Sequence, residues 1–167
     1  MFRLLKCTKD TYIQNRVINS SFKAEDANVG QAGTLDVFKL FEENILSGSS
    51  TGLIELSRIL ISFDLDSLRA LTGSILDISH SSFSCKLKMF DVQGSNPVPT
   101  NFKLILYPMS KSWSEGFGRD VSSYSDVDVV NFLTASVSNG TPTLFVASGA
   151  NAGGKSGNSN IDYIYSH

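Results

Sequence analysis

The run Arg58-Ile59-Leu60-Ile61-Ser62-Phe63-Asp64-Leu65 decides the fold class. Successive side chains of an extended chain point to opposite faces. Ile59, Ile61, Phe63 and Leu65 therefore share one face, and Leu60, Ser62 and Asp64 share the other. Apolar residues on both faces predict a central strand, partly covered on each side. Downstream, Phe83-Ser84-Cys85-Lys86-Leu87-Lys88-Met89 alternates apolar with polar residues, the pattern of a half-buried strand. Residues 101–107 alternate in the same way, with Phe102, Leu104 and Leu106 opposing Lys103, Ile105 and Tyr107. Shorter strands are expected at 11–17, 34–41, 142–147 and 161–165. Roughly seven strands separated by turn clusters predict an all-β chain, an antiparallel β-sandwich or jelly roll.

The breakers fall between these runs. Residues 28–33, 47–52 and 94–99 are rich in Gly, Ser, Asn and Pro, and Asn139-Gly140 is a tight-turn dipeptide. Two short helices are expected. One covers 66–71 with Asp66 as N-cap and Gly73 as stop; the other covers 126–132 with Val129, Val130 and Phe132 turned inward. No internal repeat is visible. The segment 148–160 reads as a Gly/Ser/Asn-rich loop before a last strand. The expected organisation is therefore a β-sandwich module over 1–147, then a loop and terminal strand over 148–167. That strand either pairs with another subunit or opens a further portion of a longer chain.

The 167 residues suffice for one core without metals or disulfides. Charged residues make up 18%, below the usual quarter or so, with Ser, Gly, Asn and Thr in their place. That composition suits turns and polar sheets better than a helical bundle. The formal net charge of −2 gives no electrostatic reason to expect nucleic-acid binding. No run approaches the roughly 20 apolar residues of a membrane span. Residues 1–9 lack the apolar core and cleavage site of a signal peptide. Cys7 and Cys85 are too few for a disulfide framework and are expected to pack as small half-buried hydrophobes.

Catalytic chemistry finds little purchase. His80 sits in the turn Ser79-His80-Ser81-Ser82, and the only other histidine is His167, so a base beside a nucleophile is not indicated. Asp64 and Asp66 lie two apart at a strand end, where such pairs more often cap a turn than cut a glycoside. A calcium site from Asp120, Asp126 and Asp128 is the best metal candidate, although EF-hand spacing and its glycine are missing. Gly149-Ala150-Asn151-Ala152-Gly153-Gly154-Lys155-Ser156 matches the phosphate-loop pattern, with a strand expected before it. Phosphate binding by such a loop needs a helix directly after it, and Gly157-Asn158-Ser159-Asn160 is a poor helix start. No catalytic residue and no cofactor is expected.

Trp113 stands in Lys111-Ser112-Trp113-Ser114-Glu115-Gly116-Phe117-Gly118-Arg119-Asp120. It reads either as a sugar-stacking platform or as a ring packed over the sandwich end with its indole N–H bonded to backbone; the second is preferred.

Four segments in order resemble the DNRLRE-type module, a carbohydrate-binding-module-like β-sandwich of secreted bacterial proteins and tailed-phage virion proteins. They are Asp10-Thr11-Tyr12-Ile13, then Asp26-Ala27-Asn28-Val29-Gly30 leading into Leu35-Asp36-Val37, then residues 58–65, then Trp113-Ser114-Glu115-Gly116. The match runs from about Lys9 to Arg119. The chain is especially similar to structural proteins of marine and cyanophage-type tailed phages, through Gly118-Arg119-Asp120, Asn131-Phe132 and the Gly/Asn-rich segment after Ser148. The resemblance implies a scaffold in which Tyr12, Ile13, Leu35, Val37 and Phe63 fill the inter-sheet space. Arg58 would pair with Asp64 or Glu115, and Gly30 would serve a positive-φ turn.

The function expected is a non-enzymatic structural component of a tailed-bacteriophage virion, in the tail, neck, baseplate or fibre attachment. It would be made in the host cytoplasm and assemble with copies of itself and other virion proteins, with no nucleic-acid or membrane partner. The alternative is a module that binds a host-surface glycan. Candidate glycan or interface contacts are Tyr107, Trp113, Glu115 and Tyr163.

Overall fold

The computed structural model describes residues 2–18, 22–46, 49–92, 101, 103–120, 129–145, 152–153 and 163–164, with backbone alone at 22–23, 41–46, 49–53, 152–153 and 163–164. Among these, nearly all regular structure is β: β1 Cys7–Gln14, β2 Val17–Ile18, β3 Phe22–Lys23, β4 Lys39–Leu46 and β5 Ser49–Phe63, then, beyond the single helix α1 Asp66–Thr72, β6 Thr134–Ser138, β7 Thr141–Leu144, β8 Ala152–Gly153 and β9 Tyr163–Ile164. The sheets are β1-β5-β4 and the pairs β2-β3, β6-β7 and β8-β9. The pairs β2-β3, β4-β5 and β6-β7 are antiparallel, while β8 and β9 run parallel. The all-β class is therefore observed. Closure into a sandwich or jelly roll is a finer statement to which the described ladders do not extend.

The chain divides into two compact units, each described by itself. One comprises Met1–Thr8 and Ser62–Leu104, and the other Lys9–Ile61 and Ile105–His167. The boundary expected between 147 and 148 lies outside the described residues.

The larger unit holds the core. Ile13, Leu60, Trp113, Val130, Phe132, Ala135 and Phe145 form one buried cluster, with Leu56 and Met109 packed against it. The strand expected at 58–65 is the second half of β5, and Leu60 is its buried member. β1 lies beside β5, and the pairing is prolonged by Asn15. Its N–H donates to Leu56 O (3.3 Å), its Nδ2 to Ile54 O (3.1 Å), and its Oδ1 accepts from Leu56 N (2.7 Å). Buried Gln14 turns the chain toward β2, donating to Ala24 O and accepting from Arg16 N. These buried amides spend their polar atoms on backbone, which offsets the cost of removing them from water.

The Asn139-Gly140 turn joins β6 to β7 as expected. Asn139 has φ 50° and Gly140 φ 72°, with Ser138 opposite Thr141. Two successive positive-φ residues make the mirror-image turn whose twist matches that of paired strands.

Several local expectations are corrected. The strand expected from 34 begins at Lys39, because Ser57 Oγ instead bridges Asp36 O (2.7 Å) and Phe38 N (2.9 Å). No helix forms over the described part of 126–132: Asn131 Oδ1 accepts from Leu133 N (2.9 Å) and Thr134 N (2.7 Å), which turns the chain into β6. Helix α1 is present, but Leu65 is its N-cap and Asp66 its first residue. Gly73 closes it at φ −84°, right-handed and not left-handed.

The smaller unit is of a different character. Among its described residues, none is buried. Residues 83–92 belong to no ladder among the described residues, despite their alternation. Phe90 is 79% exposed, and Ile75, Ile78, Leu87, Met89 and Val92 are exposed as well. Cys7 and Cys85, expected half-buried, are both exposed, and no disulfide joins them.

Candidate functional site

Of the residues that the sequence singled out, Trp113, Glu115 and Gly30 come together in the larger unit, at the loop 113–118. Trp113 enters the core with 6% of its surface exposed. The main chain beside it is tied down by Ser114, whose N–H donates to Ala135 O (3.0 Å) and whose carbonyl accepts from Val130 N (2.9 Å). Lys9, from β1, covers the Trp113 ring with its ammonium 4.5 Å from the centroid, and donates to Trp113 O at 2.5 Å. A cation over an aromatic face is attracted by the ring quadrupole, more so where water is excluded. Two residues on, Glu115 Oε1 accepts from Asp10 N at 2.7 Å.

Asn28 locks this loop to the turn 26–31. It is 1% exposed. Its Nδ2 donates to Glu115 O (2.8 Å) and Val130 O (2.7 Å), and its Oδ1 accepts from Gly118 N (2.8 Å) and Gly30 N (3.2 Å). Gln31 N donates to Gly118 O at 2.8 Å. Such contact between backbones leaves no room for side chains. A Cβ on Gly30 would lie 2.0 Å from Glu115 O, and one on Gly118 would lie 1.9 Å from Asn28 O. Gly116 has φ +79° and would also meet Asn28 and Val129. The glycine requirement at Gly30 is therefore real but differs from the one expected: its φ is not positive, and it is the approach of Glu115 that excludes a side chain.

The other scaffold residues differ in their surroundings. Tyr12 is buried, which pushes its hydroxyl up to about 12, with repulsion from Asp36 adding to the rise. For Arg58 the expected partner is Asp64 or Glu115. Its guanidinium lies 5.7 Å from the Phe132 ring centroid. Phe63 is half-buried and belongs to the smaller unit. Tyr107 is half-buried. Tyr163 lies in β9, opposite Ala152; its side chain is outside the described residues.

The remaining candidates are scattered. Asp120 is exposed, and Asp126 and Asp128 lie outside the described residues, among which no group of three metal-ligating side chains gathers. Most of the Gly149–Ser156 stretch also lies outside them, apart from Ala152–Gly153, which forms β8. His80 Nδ1 lies 2.8 Å from Ser82 Oγ in an exposed turn. Asp77 accepts from both the hydroxyl and the N–H of Ser79, which hold its carboxyl below the usual carboxylate range. Those contacts are local turn closures.

Reasoning from the sequence missed the contacts that Asn28, Lys9 and Asn131 make, although it quoted the segments that hold them. The signal available for Asn28 was the pair Gly116 and Gly118 flanking a single residue, a spacing that suits close backbone approach. Of the two readings of Trp113, platform or core, the structure shows core: Lys9 covers its ring and the core cluster surrounds it, so it offers no open face for a sugar. The loop's polar atoms are spent on fixing backbone, which makes the arrangement a clasp. No protein-family model, curated protein or solved structure matches the chain.

Proposed function

We propose that the chain is a non-enzymatic structural component of a tailed-bacteriophage virion that works by packing against copies of itself and other virion proteins. The observation that carries this reading is the smaller unit, whose described residues include none that is buried while Ile75, Ile78, Leu87, Met89, Phe90 and Val92 stand exposed. Exposed apolar surface on this scale marks interaction sites in folded proteins. The phage assignment rests on the resemblance of four sequence segments. It is supported by three of them, 10–13, 26–30 and 113–116, touching through Asp10, Glu115, Asn28 and Gly30.

The glycan-binding alternative has lost its principal platform, since Trp113 is enclosed. Candidate interface contacts under the leading reading are therefore apolar residues of the smaller unit, with Tyr107 and Tyr163 retained from the sequence.

The experiment is quantitative peptide mass spectrometry of gradient-purified particles. A fixed copy number per particle that survives a high-salt wash is the expected result. Absence of the chain from particles, with abundance in the infected-cell lysate, would remove the virion assignment.

A further inference from the structure

The residues 83–89 have the alternation of a strand and no strand partner among the described residues. Phe83, Cys85, Leu87 and Met89 take one face of an extended chain, and Ser84, Lys86 and Lys88 the other. A sheet elsewhere in the molecule has a complementary edge. Among the described residues, β4 pairs with β5 on one side and is the edge strand of the sheet β1-β5-β4. An edge strand presents backbone N–H and C=O groups that template the addition of another strand. β4 carries Glu42 and Glu43 between the apolar residues Phe41 and Ile45, where the 83–89 segment carries lysines between apolar residues.

Resting on the assembly reading above, we propose that residues 83–89 of one chain add as an antiparallel strand to the edge of β4 in a second copy. The register that best matches the two sequences sets Leu87 opposite Phe41, Phe83 opposite Ile45 and Lys86 opposite Glu42. Aromatic–aliphatic and opposite-charge pairs directly across a ladder are stabilising. Two registers for pairing 83–89 with the same segment of another copy are disfavoured by the same rule, and a third, with its axis at Cys85, is distinguished by the cross-link below. A two-fold axis at Lys86 sets lysine against lysine, and one at Leu87 sets Lys86 against Lys88. Addition to β4 joins two different surfaces, so each chain offers one donor strand and one acceptor edge. Such head-to-tail contacts close into rings or extend as filaments.

Cys85 makes the proposal testable, since it would lie opposite Glu43 at a separation that a disulfide can span. The full chain carrying Cys7→Ser and Glu43→Cys is mixed as isotopically light and heavy preparations, oxidised mildly and mapped by peptide mass spectrometry. The expected product is a disulfide between Cys85 of one isotope and the substituted position of the other. Lys86→Glu should weaken self-association at least tenfold, and adding Glu42→Lys should restore it. A bridge within single chains would overturn the proposal, because the segment then covers its own edge strand. Oligomers that form without this bridge, or with Cys85 joined to Cys85, would overturn it while leaving assembly intact. A chain that remains monomeric would overturn both this pairing and assembly through copies.

Discussion

The Asn28 carbonyl oxygen stands where a Cβ on Gly118 would come within 1.9 Å of it, so the two backbones pass too close to admit a side chain at position 118. The Asn28 side chain closes the same contact by accepting from Gly118 N. The clasp between the turn 26–31 and the loop 113–118 thus depends on one residue having an amide and the other having nothing.

Substitution at either position should destabilise strongly. Asn28→Ala leaves two carbonyls and two N–H groups without their partner in a buried site, and a loss of about 3 kcal/mol is expected. Gly118→Ala forces the backbones apart and should cost about as much. Gly33→Ala is the control: its added Cβ meets nothing within 4 Å, and stability should stay within about 0.5 kcal/mol. Urea unfolding of the three variants makes the comparison.

Trp113 is the chain's one tryptophan, so its fluorescence reports on the clasp directly. The folded protein should emit at short wavelength and resist iodide quenching, shifting to long wavelength on unfolding. Trp113→Ala should cost about 3–5 kcal/mol by emptying the centre of the core. Lys9→Met, which keeps the stem and removes the charge from over the ring, should cost about 1–2 kcal/mol. Quenching of the folded protein as efficient as that of free tryptophan would show that the ring is open to solvent.

Tyr12 gives the fold an alkaline limit. Its hydroxyl titrates at about 12 when folded, against an ordinary value of 10.0, because burial and Asp36 disfavour the phenolate. The folded state therefore holds its proton where the unfolded state has lost it. This contribution is fully present below about pH 10 and is lost as pH rises from about 10 to about 12, by about 2–3 kcal/mol. Tyr12→Phe should remove that part of the slope. Chemical denaturation at intervals from about pH 8 to about pH 12 measures it.

The hairpin turn offers a local test. Asn139 and Gly140 both have positive φ, and a Cβ at Gly140 would meet nothing within 4 Å. Gly140→Ala should cost about 1 kcal/mol through backbone strain alone. Asn139→Gly should be neutral or slightly favourable, since glycine suits the left-handed region. Thermal unfolding of the two variants, followed by circular dichroism, separates them.

What was legible in the sequence was what short range decides. The strand at 58–63 and the turn at 139–140 follow from residue alternation and from two residues that tolerate positive φ. The stretch 83–89 carries equally regular alternation and belongs to no ladder among the described residues. Alternation specifies what a strand could bury but does not supply its neighbour. Arg58 was legible as scaffold, but its contact with the Phe132 ring, far along the chain, was not, because nothing local points to it. Gly30 was legible as an obligatory glycine for the wrong reason, because the loop that excludes its side chain is a distant one. Asn28 looks like any turn asparagine until the loop that it binds is in place.

The central claim is that this chain works by assembling. Native mass spectrometry of the purified full chain, at micromolar concentration and without the particle, tests it most directly. The account predicts a defined multiple of the 18.1 kDa chain mass that breaks down when Leu87 or Phe90 is changed to Glu. A stable monomer up to the highest soluble concentration, unchanged by those substitutions and by the presence of the particle, would contradict it.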